Sequence, residues 1–227
     1  MASIWDKRIS ISIFGEPDAP AMGVTIGNLP VGEYINAEEL ANYMARRVPN
    51  LGDAAEADIV PSPRIMSGIS NERTTGAPLC AFIQNVRRSP KPQGDNVDRL
   101  SRPGNADYTG AVRYRSFSDF ESRGNFSMRL TAPLCVAGGI ALQLLREKGI
   151  EIHGHLKQVG TIQDASINMV HPDMKALASI ATEPIAMIDP QKRNEVENLV
   201  MNLKKDGDST GGIVEVVATG LPIGLGN

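Results

Sequence analysis

The spacing of apolar and polar residues predicts strands near both ends of the chain. Residues 9–14 and 150–159 alternate with a period of two, which is typical of half-buried strands. A β-branched run over residues 213–218 predicts a buried strand, because Ile and Val pack well on a pleated sheet and crowd a helix. Shorter runs predict further strands at residues 22–26, 64–67 and 79–84.

Helices are predicted between these strands. Asn36 precedes an acidic first turn, so it is expected to cap a helix that runs to about Arg47. Residues 129–148 form the strongest helical pattern, and Gly149 marks its end. That helix is apolar on nearly every face, which predicts burial between layers. Two further helices are predicted, at residues 173–180 and, behind an Asp189 cap, from Pro190 onward.

This order of elements favours an α+β fold, and we expect residues 1–227 to form a single domain. Of the residues, 41% are apolar and 22% are charged, and the net charge of -3 disfavours a nucleic-acid partner. No uninterrupted apolar run of about 18 residues occurs, and the N-terminus lacks the apolar segment of a signal peptide. We therefore expect a cytoplasmic protein without a membrane partner.

Two groups of polar residues are candidates for binding chemistry. Residues 85–103 resemble a loop, and its cations favour either an anionic ligand or a solvated loop face. His153 and His155 stand two apart on one predicted strand, so they share a face and offer two imidazoles to a metal. No third ligand stands nearby, so we interpret the pair as structural or solvent-facing and predict no metal site. The cations of the loop are Arg87, Arg88, Lys91, Arg99 and Arg102.

Several motifs, in order along the whole chain, resemble those of chorismate synthases. The two longest are RPGNADYTG at residues 102–110 and DGDSTGG at residues 206–212. A Gly/Pro-rich segment, residues 220–226, follows the second motif. The shorter motifs are FGE at 14–16, PAMG at 20–23, RR at 46–47, SG at 67–68, RTTGAPL at 73–79 and FSMRLTAP at 126–133.

The resemblance implies a fold, an activity and a cofactor. The family fold packs antiparallel sheets on central helices, and the C-terminal part of that fold is absent from this sequence. The family converts 5-enolpyruvylshikimate 3-phosphate into chorismate, a step of aromatic amino acid biosynthesis, by loss of phosphate and a proton. Reduced flavin mononucleotide (FMN) lies above the substrate, and NADPH is an open candidate for the flavin's reductant. A phosphorylated small-molecule substrate of this kind requires arginines, whose guanidinium groups orient phosphate and carboxylate.

The sequence departs from the family at both of its catalytic histidines. Asp18 occupies the first position and Asn105 the second. An aspartate at its usual pKa is ionised at neutral pH, so Asp18 acts as an acid only if burial raises its pKa. An asparagine side chain has no proton to transfer. The resemblance therefore places both residues at catalytic positions while predicting weak or absent unaided activity.

Other residues of the family's substrate and cofactor site are matched or altered. Arg47, Arg102, Ser127 and Arg129 match family positions that bind substrate or flavin. A glycine-rich turn of the family corresponds to residues 121–127 here, where Asn125 replaces a His or Arg and Phe126 precedes the matching serine. The resemblance thus assigns binding to Arg47, Arg102, Asn125, Phe126, Ser127 and Arg129.

Two kinds of role remain open from the sequence. The first is a lyase of the chorismate synthase type. The alternative is a catalytically inactive family member that acts as a binding or regulatory subunit. An uncovered sheet edge would favour association with a second copy, with an intact homologue or with a separate chain that supplies the family's C-terminal half.

Overall fold

The structure is a computed structural model that describes residues 4–6, 8–16, 19–47, 62–85, 101, 105–115, 126–168 and 170–225. The described residues up to 144 belong to one compact unit and those from 145 onward to a second unit. The expectation of a single domain stays a prediction.

The first unit is built on a five-stranded antiparallel sheet. Its strands lie in the order β1-β2-β3-β7-β4, so sequence neighbours β1, β2 and β3 are also spatial neighbours. A short hairpin of β5 and β6 stands outside this sheet. The bounds are β1 Ile4–Asp6, β2 Ser10–Gly15, β3 Ala21–Gly27, β4 Arg64–Ser67, β5 Ile69–Ser70, β6 Arg73–Thr74 and β7 Leu79–Gln84.

Helices of the first unit share one apolar core with this sheet. Val24 of β3, Leu79 of β7, Leu40 of α1 and Ile140 of α3 are among the fully buried members of that core. The period of 3.6 in the helices and of two in the strands thus brings their apolar faces together. The helices are α1 Ala37–Ala45, α2 Asp107–Arg113, a 3-10 turn at Met128–Leu130 and α3 Thr131–Arg146.

The predicted caps and helix positions of this unit are confirmed. The side chain of Asn36 accepts a hydrogen bond from Glu39 N at 2.9 Å and so begins α1. The helix predicted over residues 129–148 is present as α3. The 3-10 turn at Met128–Leu130 directly precedes it. Met128–Arg146 is the one described helix long and apolar enough to span a bilayer, a test that core helices also pass. Burial of its residues in the core accounts for its apolar composition.

The second unit pairs a small antiparallel sheet with two helices. Its strands lie in the order β10-β8-β9, so β10 is an edge strand among the described residues. Helix α5 begins at the predicted Asp189 cap and ends at Gly207, which takes the left-handed conformation with φ of 66°. The bounds are β8 Glu151–Val159, β9 Ile162–Gln163, β10 Gly212–Thr219, α4 Met174–Ile180 and α5 Pro190–Asp206.

Strand β10 is present as predicted, but it is not buried. Val217 packs with Leu177 and Ile180 of α4, whereas Val214 and Val216 expose 65% and 62% of their surface. Neighbouring residues of a strand point to opposite faces, and within the described part of the chain only one face of β10 has a helix against it. The prediction of a buried strand was therefore wrong for the face of β10 that carries Val214 and Val216.

Candidate substrate-binding site

Arg47 lies at the end of α1 and reaches the first residue of α3. Its backbone N–H donates to the carbonyl of Met44 at 3.2 Å, which keeps the residue on the last turn of the helix. Its guanidinium Nη2 donates to Thr131 Oγ1 at 2.8 Å. The Thr131 hydroxyl in turn donates to the carbonyl of Met128 at 2.6 Å. Thr131 therefore fixes the direction of an exposed guanidinium group.

A 3-10 turn places two more predicted residues beside Thr131. Ser127 caps this turn, because its Oγ accepts from Arg129 N at 3.3 Å and its carbonyl accepts from Leu130 N at 3.2 Å. Arg129 is exposed and makes an interaction of its own. Arg47, Ser127 and Arg129 are thus gathered at the N-terminal end of α3. Two cations and the positive end of a helix at one place favour an anionic ligand.

Phe126 connects this turn to α2. A side chain at Gly110 of α2 would place its Cβ 2.6 Å from the Phe126 ring, so the glycine permits that close approach. The ring centroid also lies 6.3 Å from that of Tyr114. Phe126 therefore packs against the helix that Asn105 precedes. Asn105 itself is exposed and lies before the buried Asp107 in the first turn of α2.

Three predicted site residues lie outside the described residues. These are Asp18, Arg102 and Asn125. Most of the cationic loop over residues 85–103 also falls outside them. Their assignment therefore rests on the sequence motifs, and they stay predictions.

Burial raises the pKa of Tyr43, one turn before Arg47. The nearby Cys135 raises it further, while Arg46 opposes the rise. Arg46 lies over the Tyr43 ring, with 5.6 Å between its Cζ and the ring centroid. Tyr43 thus stays a neutral phenol at physiological pH, and the charge next to the site comes from the arginines.

A second polar cluster, in the other unit, surrounds His155. The ring is almost fully buried, with Nδ1 at 3.0 Å from Asp164 Oδ2 and Nε2 at 3.1 Å from Glu215 Oε2. Lys157 Nζ donates to Glu215 Oε1 at 2.6 Å. The two carboxylates lie at opposite ends of the ring, so they do not converge with it on one point. Among the described residues, no group of three or more potential ligands is placed to hold a metal.

Both carboxylates of this cluster are stabilised in the ionised form. Burial opposes ionisation of Asp164, but N–H donors from Asp189 and Ile188, together with His155, lower its pKa. Hydrogen bonds from Lys157 and then from His155 lower the pKa of Glu215.

The sequence pattern indicated His155 but not its partners. Alternation places His155 and Lys157 on one face of β8, which is the one signal available locally. Glu215 reaches the cluster through the pairing of β10 with β8, in which Glu215 lies opposite His155. Pairing between strands so distant in the chain leaves no mark on local periodicity.

Comparison with known proteins gives one consistent result. A family model described as chorismate synthase matches residues 9–227. The chorismate synthase of Lancefieldella parvula is 33% identical over 100% of this chain and 62% of its own length. The chorismate synthase of Ralstonia pickettii is 37% identical over 96% of this chain and 57% of its own length.

A solved structure described as a crystal structure of chorismate synthase has the same fold. It superimposes with a TM-score of 0.73 at 18% identity and covers 95% of this chain. This chain covers 59% of that structure, so it spans about three fifths of its relatives. The superposition confirms the mixed fold of helices and antiparallel sheets.

Proposed function

Because this chain belongs to the chorismate synthase family, we propose that it takes part in the elimination of phosphate from 5-enolpyruvylshikimate 3-phosphate. In this reaction a C–O bond and a C–H bond of the substrate break. Phosphate and a proton leave, and chorismate forms. The chain is thereby a carbon–oxygen lyase of the shikimate pathway, and we place it in the cytoplasm.

The observation that carries the proposal is the cluster at the start of α3. The Arg47 side chain is held by Thr131. Arg129 lies two residues before Thr131, on a turn that Ser127 caps. Guanidinium groups suit phosphate and carboxylate, because their planar donors form paired hydrogen bonds with such anions. The substrate carries three acidic groups, so a site with one fixed arginine and a second arginine nearby matches its chemistry.

The same donors fit the phosphate of FMN. Guanidinium N–H groups and a serine hydroxyl are donors that a phosphate accepts well, and Ser127, Arg129 and Arg47 supply them. Reduced FMN, when bound, supplies an electron-rich flavin ring beside the substrate, and NADPH is our candidate for its reductant. This chain's own residues bind and orient the anions.

Proton transfer is the part of the reaction that these residues support least. Asn105 is exposed and has no transferable proton, and Asp18 also departs from the family's histidine. Loss of one positioned proton donor typically lowers a rate by about two to four orders of magnitude. The second candidate function is therefore an inactive family member that binds the ligands, or an active homologue, without turnover.

We propose strand β10 as the surface that meets a partner chain. Val214 and Val216 expose apolar side chains on a sheet edge, and Leu221 follows with 49% exposure. Exposed apolar edges favour pairing with another strand. The occupant is a second copy of this chain or a chain that carries further parts of the family fold.

Anaerobic phosphate release distinguishes the two candidate functions. The purified chain is mixed with 5-enolpyruvylshikimate 3-phosphate and chemically reduced FMN, and phosphate is measured against a protein-free sample. Release above that sample supports the lyase. A folded chain that binds the substrate without releasing phosphate supports the inactive member.

Arg47→Met tests the binding site itself, with Arg64→Met as the control. Arg64 is an exposed arginine on β4, a strand that contributes no residue to the Arg47–Thr131 contact. Loss of a charge-assisted hydrogen bond weakens binding roughly 10- to 100-fold. We expect that loss of substrate affinity in Arg47→Met and wild-type affinity in Arg64→Met, measured by calorimetric titration. Equal affinities of both variants would refute the site.

Light scattering tests the partner surface. We expect the chain alone to form an oligomer that Val216→Lys dissociates and that Val31→Lys, altered at a 73% exposed position of the first unit, leaves intact. If the wild-type chain is monomeric, a second copy is excluded as the partner of β10, and a separate chain stays the proposed partner. An oligomer unchanged in Val216→Lys would contradict the role of β10.

A further inference from the structure

The buried cluster around His155 has no part in the proposed reaction. It joins three segments of the second unit: β8 through His155, β10 through Glu215, and the residues after β9 through Asp164. Asp164 extends the connection further, because its carboxylate accepts from Ile188 N at 2.6 Å and from Asp189 N at 2.9 Å. A single imidazole thus links β8, β10 and the segment after β9.

The contacts of the two carboxylates define where the protons lie. Asp164 accepts from backbone N–H groups at both of its oxygens, and Glu215 accepts from the Lys157 ammonium. An ionised carboxylate can only accept hydrogen bonds. Each ring nitrogen of His155 faces one of these acceptors, so both contacts are hydrogen bonds only when each nitrogen carries a proton. A neutral ring would direct a lone pair at a negative oxygen in a buried site.

We infer that His155 is a buried imidazolium and that its second proton makes the attachment of β10 to the sheet dependent on pH. With the proton, the ring donates to both carboxylates and closes the cluster. When the proton leaves, one of the two contacts becomes repulsive. The contact with Glu215 is the one that breaks, because the Asp164 side chain is fully buried while 18% of the Glu215 side chain is exposed.

Apart from Lys157, which acts on the ring through Glu215, the other charged groups near the ring contact other partners. On β8, His153 lies 3.7 Å from Glu151, and Lys157 is bound to Glu215. On the segment that enters α5, Asp189 caps that helix, and Arg193 binds Glu183 and the carbonyl of Met187. Helix α4 presents the apolar Leu177 and Ile180 to β10. The balance at His155 is therefore set by Asp164 and Glu215.

Histidine ring NMR on the unaltered chain tests the protonation state directly. Ring nitrogens are labelled with 15N, and the pattern of N–H and bare nitrogens is followed from pH 6 to pH 9 in the folded protein. His171 is exposed and serves as the internal control. We expect both ring nitrogens of His155 to carry a proton in the folded protein at neutral pH, because each faces a carboxylate oxygen. A single-proton His155 at neutral pH would overturn the inference.

Hydrogen exchange tests the consequence for β10. We expect the protection factors of the amides that pair β10 with β8 to fall roughly tenfold across the pH range where His155 loses its second proton, the size of one charge-assisted hydrogen bond. In His155→Gln that pH dependence should disappear, while His171→Gln should retain it. Protection that stays constant through the loss of the proton in the wild type would overturn the switch, even if His155→Gln fails to fold.

Discussion

Replacing Gln143 by leucine tests whether one buried amide holds α1 against α3. Gln143 is 7% exposed and lies on the face of α3 that enters the core. Its Oε1 accepts from Asn36 N at 2.8 Å, and its Nε2 donates to Asn36 O at 3.1 Å. The amide therefore pairs with both backbone groups of the residue that caps α1, across 107 positions of the chain.

The expected cost follows from what each backbone group loses. Asn36 O keeps the hydrogen bond from Leu40 N at 3.2 Å, so it still has a partner after the change. Asn36 N–H loses the acceptor that Gln143 provided, and an unsatisfied buried donor costs about 1–3 kcal/mol. Leucine has a similar size and adds no cavity. We therefore expect the free energy of unfolding to fall by about 2 kcal/mol.

Urea unfolding followed by tryptophan fluorescence measures this loss. Trp5 is the single tryptophan of the chain and lies on β1, so its signal reports the first unit. A loss of about 2 kcal/mol moves the midpoint by roughly 1 M urea. Gln84→Leu, at an exposed position of β7 in the same unit, is the control for the added apolar side chain. A midpoint for Gln143→Leu within about 0.2 M of the wild type would refute the reasoning.

Three further outcomes are expected. A Cβ at Gly139 would lie 2.6 Å and 2.9 Å from two side chains of α1, so Gly139→Ala should lower stability by about 1–3 kcal/mol in the urea assay, whereas Gly138→Ala, with 3.7 Å of room, should not. Asp173→Ala removes the cap of α4 and should cost about 1 kcal/mol in thermal unfolding; no change would contradict the cap. Because the pKa values of Asp164 and Glu215 are lowered in the fold, their stabilisation is complete above the ordinary values of 3.8 and 4.5 and is lost as pH falls through the lower folded values. Acid unfolding should become shallower in Asp164→Asn, and an unchanged slope would contradict it.

Local patterns predicted the elements of this fold well because their causes are local. The caps Asn36, Asp173 and Asp189 each accept hydrogen bonds from N–H groups two or three residues ahead, so sequence spacing contains the whole interaction. The alternation in β8 is also local, because successive side chains point to opposite faces of the strand and one face is more covered than the other. The residues that cause such features lie within a few positions of each other in the sequence.

Features that depend on distant partners were not predictable in the same way. The exposure of Val214 and Val216 depends on which side of β10 receives α4, and β-branched composition is the same for a buried and an edge strand. Thr131 illustrates the same limit in the candidate site. Its motif was recognised, but its hydrogen bond to Arg47 spans 84 positions and follows from the packing of α1 against α3.

The described residues that match the family motifs make structural contacts. Ser127 caps a turn, Thr131 bonds to Met128 and to Arg47, and Gly110 leaves room for the Phe126 ring. None of these contacts requires a histidine at position 105, because an exposed asparagine ahead of α2 leaves them intact. Motifs of this kind can persist through packing alone while proton transfer is lost. Family membership therefore predicts the fold of this chain, and the arginines we propose to bind anions, more strongly than its turnover, which is why phosphate release and substrate binding must be measured separately.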